Sequence, residues 1–309
     1  MIKLLIIGAN GTFDITKMVP SITWSGDYQQ CVRTLSFDLV SSYTDQNVPV
    51  VPADLGNAVK FYQDGRILFS GFVFSRGKST GDSVVTLKCY DRGFYLKRNK
   101  ASYNFSGQTA EAIAMRICSD FEIPTGSIVK TGVGITRIFE GVSLYDIIQT
   151  AYTLASEKTE KKYYQRFDGE KFCVLEKSVT DETLVIEGKS NLMQAVTSES
   201  VENMVNRVVI TDKNGNQVSI QENADAIKLY GVMQDIIQQS ESENSLEKAK
   251  SLLRENGEDQ KISLDCLGNI ANITGGSVVV REAYTGLYGL FYIDSDTHTW
   301  KNGQYYNKL

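Results

Sequence analysis

One histidine, His298, and four prolines in 309 residues set the first limits on this chain. A single imidazole leaves little material for a metal or acid–base centre built on histidine. The five cysteines, Cys31, Cys89, Cys118, Cys173 and Cys266, are odd in number and far apart, with no CxxC. That spacing excludes a zinc framework or a thioredoxin-like motif and reads as buried thiols in a reducing compartment. HExxH, GxSxG and the P-loop are all absent. No apolar run reaches the length needed to span a bilayer. The run Met1-Ile2-Lys3-Leu4-Leu5-Ile6-Ile7-Gly8 is too short for a signal peptide and has no small-residue cleavage site after it, so a first β-strand is expected there. A net charge of −5 counts against a general nucleic-acid binder. The short basic clusters Lys97-Arg98-Asn99-Lys100 and Lys158-Thr159-Glu160-Lys161-Lys162 read as solvated turns.

What is present is globular and β-rich. Apolar residues make up 42% and charged residues 22%, which is not the composition of a disordered chain, and 16 Tyr with 13 Phe favour strands. Alternation and turn signals predict strands over 4–7, 12–15, 21–24, 32–40, 59–62, 67–75 and 84–90, with hairpin turns at Asn10-Gly11 and Asp64-Gly65. Helical spacing then takes over. A helix over 109–121 is capped by Thr109, and another starts at Ser143 with Asp146 as its capping-box partner. A hairpin over 163–175 is expected to turn at Asp168-Gly169. From 191 the pattern returns to β. A hairpin turns at Asn214-Gly215, a helix over 245–256 runs from Asn244 and Glu247 to Gly257, and strands follow over 261–264, 277–281, 287–295 and 304–309, the last two separated by Asn302-Gly303.

Two strands share one device. "FSGFVF" at 69–74 and "LYGLFY" at 287–292 each hold a lone glycine, Gly71 and Gly289, among aromatic and aliphatic neighbours. A glycine inside a strand marks a bulge, a sharp bend or a close backbone approach. Two unrelated bent strands would satisfy this, and so would two copies of one small barrel. The second reading makes the fold a β-rich α+β architecture with two internally duplicated barrels. Residues 1–95 form the first barrel, 96–190 an α+β domain, and 191–309 a second barrel with a helical insertion around 243–257.

Chemistry finds little foothold. Asp294, Asp296 and His298 are the one constellation with metal-binding or catalytic character, and the same residue types also suit a turn between strands. Thr131-Gly132-Val133-Gly134 begins a glycine-rich pattern, but Arg137 stands where the third glycine belongs. No catalytic residue, metal or cofactor is assigned.

Seven segments, in order, resemble phage tail baseplate hub proteins of the PBSX prophage type. They are "DITKMVPSITWSGDYQQCVRTLSFDLV" at 14–40, "YDRGFYLKRNK" at 90–100, "FSGQTAEAIAMRICSDFEIP" at 105–124, "GVSLYDIIQTAYTLASEKTEKKYYQRFDGEKFCVLE" at 141–176, "ENMVNRVVI" at 202–210, "YGVMQDIIQ" at 230–238 and "GLYGLFYIDSDTHTWKNGQYYNKL" at 286–309. Glu160 stands where the resemblance puts a glycine. The resemblance implies two tube-protein-like barrels per chain and a homotrimer whose six barrels adapt a hexameric tail tube to a trimeric spike. It implies tail tube, spike and other baseplate proteins as partners, no membrane, and DNA only as non-specific passage through the channel. It implies a virion or phage-like particle assembled in the bacterial cytoplasm, and His298 as a structural loop residue. Two rival readings compete with this one. A tail-borne cell-wall hydrolase would act through a carboxylate or His298. A carbohydrate- or receptor-binding protein would use exposed aromatics such as Trp24, Trp300, Tyr305 and Tyr306.

Overall fold

The computed structural model describes residues 1–42, 45, 47–79, 83–177, 184–239 and 244–309. These fall into two compact units, residues 1–194 with 264–309, and residues 195–263. In the first unit the chain opens with strands β1 (Ile2–Gly8), β2 (Gly11–Asp14), β3 (Ser21–Asp27), β4 (Gln30–Val40), β5 (Ala58–Gln63), β6 (Arg66–Lys78) and β7 (Val84–Asp91). The α+β segment follows: α1 (Gly93–Arg98), β8 (Lys100–Thr109), α2 (Ala110–Asp120), β9 (Thr125–Ile128), β10 (Gly134–Ser143), α3 (Leu144–Thr159), β11 (Tyr163–Asp168) and β12 (Lys171–Glu176). Next come β13 (Leu184–Glu187) and β14 (Leu192–Ser200), the second of which runs across the unit boundary. The second unit holds β15 (Arg207–Thr211), β16 (Gln217–Glu222), α4 (Ala224–Tyr230), β17 (Gln234–Gln238) and α5 (Ser245–Glu255). Strand β18 (Asp259–Leu267) recrosses the boundary, and β19 (Ser277–Glu282), β20 (Leu287–Tyr292), β21 (Ser295–Lys301) and β22 (Gln304–Lys308) complete the first unit.

Local chemistry explains most of these elements. Asp64-Gly65 and Asn302-Gly303 all have positive φ, as a two-residue I′ hairpin turn requires. Thr109 and Ser143 accept from the amides of Ala112 and Asp146, capping α2 and α3 as the sequence predicts. Both helices bury their predicted stripes: Ala110, Ile113, Ala114 and Ile117 in α2, and Leu144, Ile147, Ile148, Ala151 and Tyr152 in α3. Glu160 closes α3 in the left-handed conformation, φ 58°, that normally selects glycine at this point. In the second unit, α5 covers Val208 and Ile210 of β15 with Ala249, Leu252 and Leu253.

Three expectations change. The stretch after 295, expected as a turn between strands, is strand β21, in which Asp296, His298 and Trp300 alternate inward with Thr297 and Thr299 between them. Among the described residues the C-terminal strands do not close into a barrel of their own. β21 pairs with β3 (His298 opposite Trp24, Asp296 opposite Gly26), so the sheet order is β14-β18-β22-β21-β3-β4-β7-β6-β5-β1-β2. That sheet is open: among the described residues no ladder joins β2 back to β14. The connection expected over 77–83 includes residues 80–82, and the insertion expected from 243 begins at a residue, that both lie outside the described residues.

The two glycines have different surroundings. Gly71 lies in β6 between β5 and β7, where a Cβ would sit 2.2 Å from the Tyr90 carbonyl oxygen and 2.5 Å from the Phe69 ring. Gly289 lies in β20, at the edge of a separate sheet ordered β13-β19-β20. Its φ is +141° and nothing lies within 4 Å of where a Cβ would be. Close approach demands the first glycine, and backbone conformation favours the second. Gly71→Ala is expected to cost about 3 kcal/mol, at the upper end for overpacking because part of the obstacle is backbone. Gly289→Ala is expected to cost about 1 kcal/mol of local strain. Urea unfolding of the two variants measures both, and equal costs would contradict the distinction.

Candidate functional site

The one dense cluster of chemically capable side chains lies inside the sheet, where the alternation of four strands brings it together. Along β4 the inward residues are Cys31, Arg33, Leu35, Phe37 and Leu39, so an arginine occupies a position in the apolar phase. Arg33 is 5% exposed, Asp296 1% and His298 0%. The guanidinium meets Asp296 in a bidentate pair, with Nη1 at 3.0 Å from Oδ1 and Nη2 on Oδ2. Gly26, opposite Asp296, leaves the space through which it passes, since a Cβ there would lie 2.3 Å from Nη1. Arg33 also lies over the Trp24 ring, with Cζ 3.9 Å from its centroid.

Most of the remaining polar atoms meet another, while Arg33 Nε, Trp24 Nε1 and Asn272 Oδ1 are buried without a hydrogen-bond partner. Thr274 donates to Asp296 Oδ1 through its amide at 2.7 Å and also through its hydroxyl. His298 Nε2 lies 3.1 Å from Asp296 Oδ2, and Nδ1 faces the Tyr305 hydroxyl at 2.6 Å and Asn307 Nδ2 at 2.8 Å. The network therefore assigns the proton of a neutral imidazole to Nε2. Asn307 Oδ1 accepts from the Asn269 amide at 2.6 Å and from Asn272 Nδ2 at 3.0 Å. Burial pushes the Asp296 carboxyl up, but the Arg33 charge and the hydrogen bonds from His298 and Arg33 outweigh it and hold the group well below the usual carboxylate range. Burial pushes His298 down, which keeps its ring uncharged. Asp91 accepts from the Arg33 and Gly93 amides, yet burial raises its pKa to about 7.

This arrangement can hold strands in register, and its Arg33, Asp296 and His298 side chains have no surface to offer a substrate. His298 and Asp296 belong to it as core residues of a strand, not of a loop. Asp294 is separated from them: it is exposed and pairs with Lys177 at 2.9 Å. Trp24 and Trp300 are also core, 2% and 7% exposed. The amides of Thr131 and Gly132 bind the chain's own Glu111 carboxylate at 3.1 and 3.3 Å, which occupies the glycine-rich loop. All five cysteines are buried and free. A cleft of about 530 Å³ lies between the start of β1 and the β21–β22 turn, over Val19, Ile22, Trp300 and Tyr305, and its lining contains no carboxylate, imidazole or thiol. Among the described residues no group of three His, Cys, Asp or Glu side chains is placed to hold a metal, and no helix is long and apolar enough to cross a membrane. Sequence reasoning missed Arg33. The signal was the phase of β4, in which Arg33 falls in step with Leu35, Phe37 and Leu39.

Breaking the pair from one side leaves a buried cation alone, so Asp296→Ala is expected to cost about 3–5 kcal/mol, while Arg33→Met with Asp296→Leu costs far less. Urea titration decides, and equal losses would remove the ion pair from its central role. Acid acts through three groups. As pH falls below 6.5 the unfolded chain takes up a proton that folded His298 refuses, so stability declines, and below 3.8 Asp296 acts in the same sense. Asp91 opposes them: with a folded pKa of about 7 against 3.8, it stabilises the fold as pH falls through that interval. Between pH 6.5 and 3.8, Asp91→Asn should therefore steepen the fall of Tm and His298→Gln should flatten or reverse it. Parallel melting curves for the two variants would contradict the linkage.

Comparison with known proteins places this architecture. The Bacillus subtilis (strain 168) protein described as "Phage-like element PBSX protein XkdQ" is 26% identical over 312 residues, covering 97% of this chain and 94% of that protein. Two solved structures share the fold over nearly the whole chain. The 43 kDa tail protein of prophage MuSo2 from Shewanella oneidensis has a TM-score of 0.77 at 13% identity, with 99% of this chain and 97% of that one covered. The tail protein from Neisseria meningitidis MC58 has a TM-score of 0.69 at 12% identity, with 100% and 95% covered. A family model described as YQBQ-like matches residues 22–309, from the start of the β3 core through the buried network to the last strand, and the chain belongs to the YQBQ-like family.

Proposed function

We propose that this chain is a structural protein of a phage or phage-like tail and serves as its baseplate hub. The observation that carries the reading is the end-to-end match in fold to a tail protein. The relative from a phage-like element, matched over nearly its full length, supports it independently. Burial of the His298–Asp296 cluster argues against the hydrolase alternative, because a general acid or base must reach its substrate.

In this reading three copies form a ring and each contributes two tube-like β-modules, one built around β1–β7 and one from the strands after β12. Six modules match a hexameric tail tube on one face, and the threefold face seats a trimeric spike. The open sheets find their closure between subunits, where free strand edges pair rather than remain exposed. The boundaries at 95/96 and 190/191 then mark modules in sequence order, and the compact units reflect how the last strands return to the first sheet. Residues 195–263 hold seven basic and twelve acidic residues, so the whole net charge of −5 resides there. A trimer carries three times that, an acidic excess that repels DNA passing through a channel.

Electron microscopy with light scattering, on the protein purified together with its spike, tests the reading. A threefold ring with six lobes is expected. A chain that stays monomeric beside its spike, or that is missing from purified tails, would overturn it.

A further inference from the structure

We infer that the β19–β20 hairpin is the element by which one copy of this chain docks on the next. The inference deepens the hub reading and rests on it. Four observations converge on this hairpin. Its tip is braced: Glu282 accepts from the amides of Tyr284 and Thr285 at 2.9 and 2.6 Å, and from the Thr285 hydroxyl. On that fixed tip Tyr284 is 97% exposed, a large aromatic presented with little conformational freedom to lose. Along β20, Tyr288, Leu290 and Tyr292 share one face and are 63%, 42% and 44% exposed. The row Val185–Val279–Leu290 extends that apolar face across the sheet.

The edges of this sheet are treated unequally. On β13, Asn191 occupies the outer backbone, donating to the Val185 carbonyl at 2.9 Å and accepting from the Glu187 amide at 3.0 Å. The outer edge of β20 has no strand partner among the described residues. Gly289 lies in this edge strand, with nothing within 4 Å of where a side chain would start, and an unpaired edge is a ready template for another strand.

The occupant is a second copy. Outside residues 195–263 the chain has 25 basic and 25 acidic residues, so two copies meet through this unit without net repulsion. The patch is rimmed by both signs, Arg281 with Glu187 at 3.8 Å and Lys177 with Asp294 at 2.9 Å, which suits neither nucleic acid nor a partner of one strong charge. A hairpin of this size falls short of the roughly 800 Å² per partner of a free-standing complex. It suits a ring, where each copy makes two contacts and the hairpin meets a different surface of its neighbour.

Photo-crosslinking of assembled tails tests the contact. Benzoylphenylalanine is placed at 284 or 290, with exposed Ile138 as the control position. Positions 284 and 290 should each give a product joining two copies, and position 138 should not, with the second end mapping away from β20. Crosslinks to a different protein, or none above the control in tails that contain the chain, would overturn this contact alone. Absence of the chain from tails would overturn the hub reading instead, and this contact with it.

Discussion

The guanidinium of Arg33 and the carboxylate of Asp296 meet 263 residues apart in sequence, in a place that offers neither group water as a substitute. An ion pair buried this deeply adds little net stability over well-packed apolar residues, yet leaving either member alone is expensive. Its force is therefore exclusionary. A one-residue slip of β21 against β3 would turn Thr297 inward and Asp296 outward, stranding Arg33 in the core. His298 and Thr274 depend on the same register because they meet Asp296 directly, and Asn307, with Asn272 behind it, joins the network through His298.

That constraint organises the rest of the first unit. It fixes the last hairpin beside the first strands, so strands from both ends of the chain share one open sheet, and the α+β segment and residues 195–263 intervene between them in sequence. It also separates two neighbouring hairpins by role. The β21–β22 hairpin is committed to the core through Trp300, His298 and Asn307. The β19–β20 hairpin, just before it, keeps its tyrosines in solvent. A structural protein needs both kinds, one to hold its own shape and one to meet its neighbours.

Local signals in the sequence were reliable where neighbours in the chain supply the physics. Turns built on Asp64-Gly65 and Asn302-Gly303, and helices started by Thr109 and Ser143, stand where their side chains dictate. Glu160 shows a local rule bending to its surroundings: the helix ends in the left-handed conformation without the expected glycine, held by the packing of α3. The site was only half legible. Asp296 and His298 were visible as a cluster, but polar residues at the end of a chain read as turn, and nothing local reveals that an arginine in β4 waits for them. Asp294 looked like their partner because it is near in sequence, but the strand phase points it elsewhere.

Sequence by itself determined the helix caps and tight turns, which rest on residue types within a few positions of one another, and the β-rich composition and the resemblance to tail hub proteins, which need only residue types and their order. The tertiary structure alone decided that the final strands join the first sheet, that the sheet stays open, and that Gly71 and Gly289 answer different needs. Those outcomes depend on which strand edges and which buried charges find each other across the chain. Strand pairing is satisfied by backbone groups every residue carries, so its partners are chosen by packing and burial that no single stretch encodes.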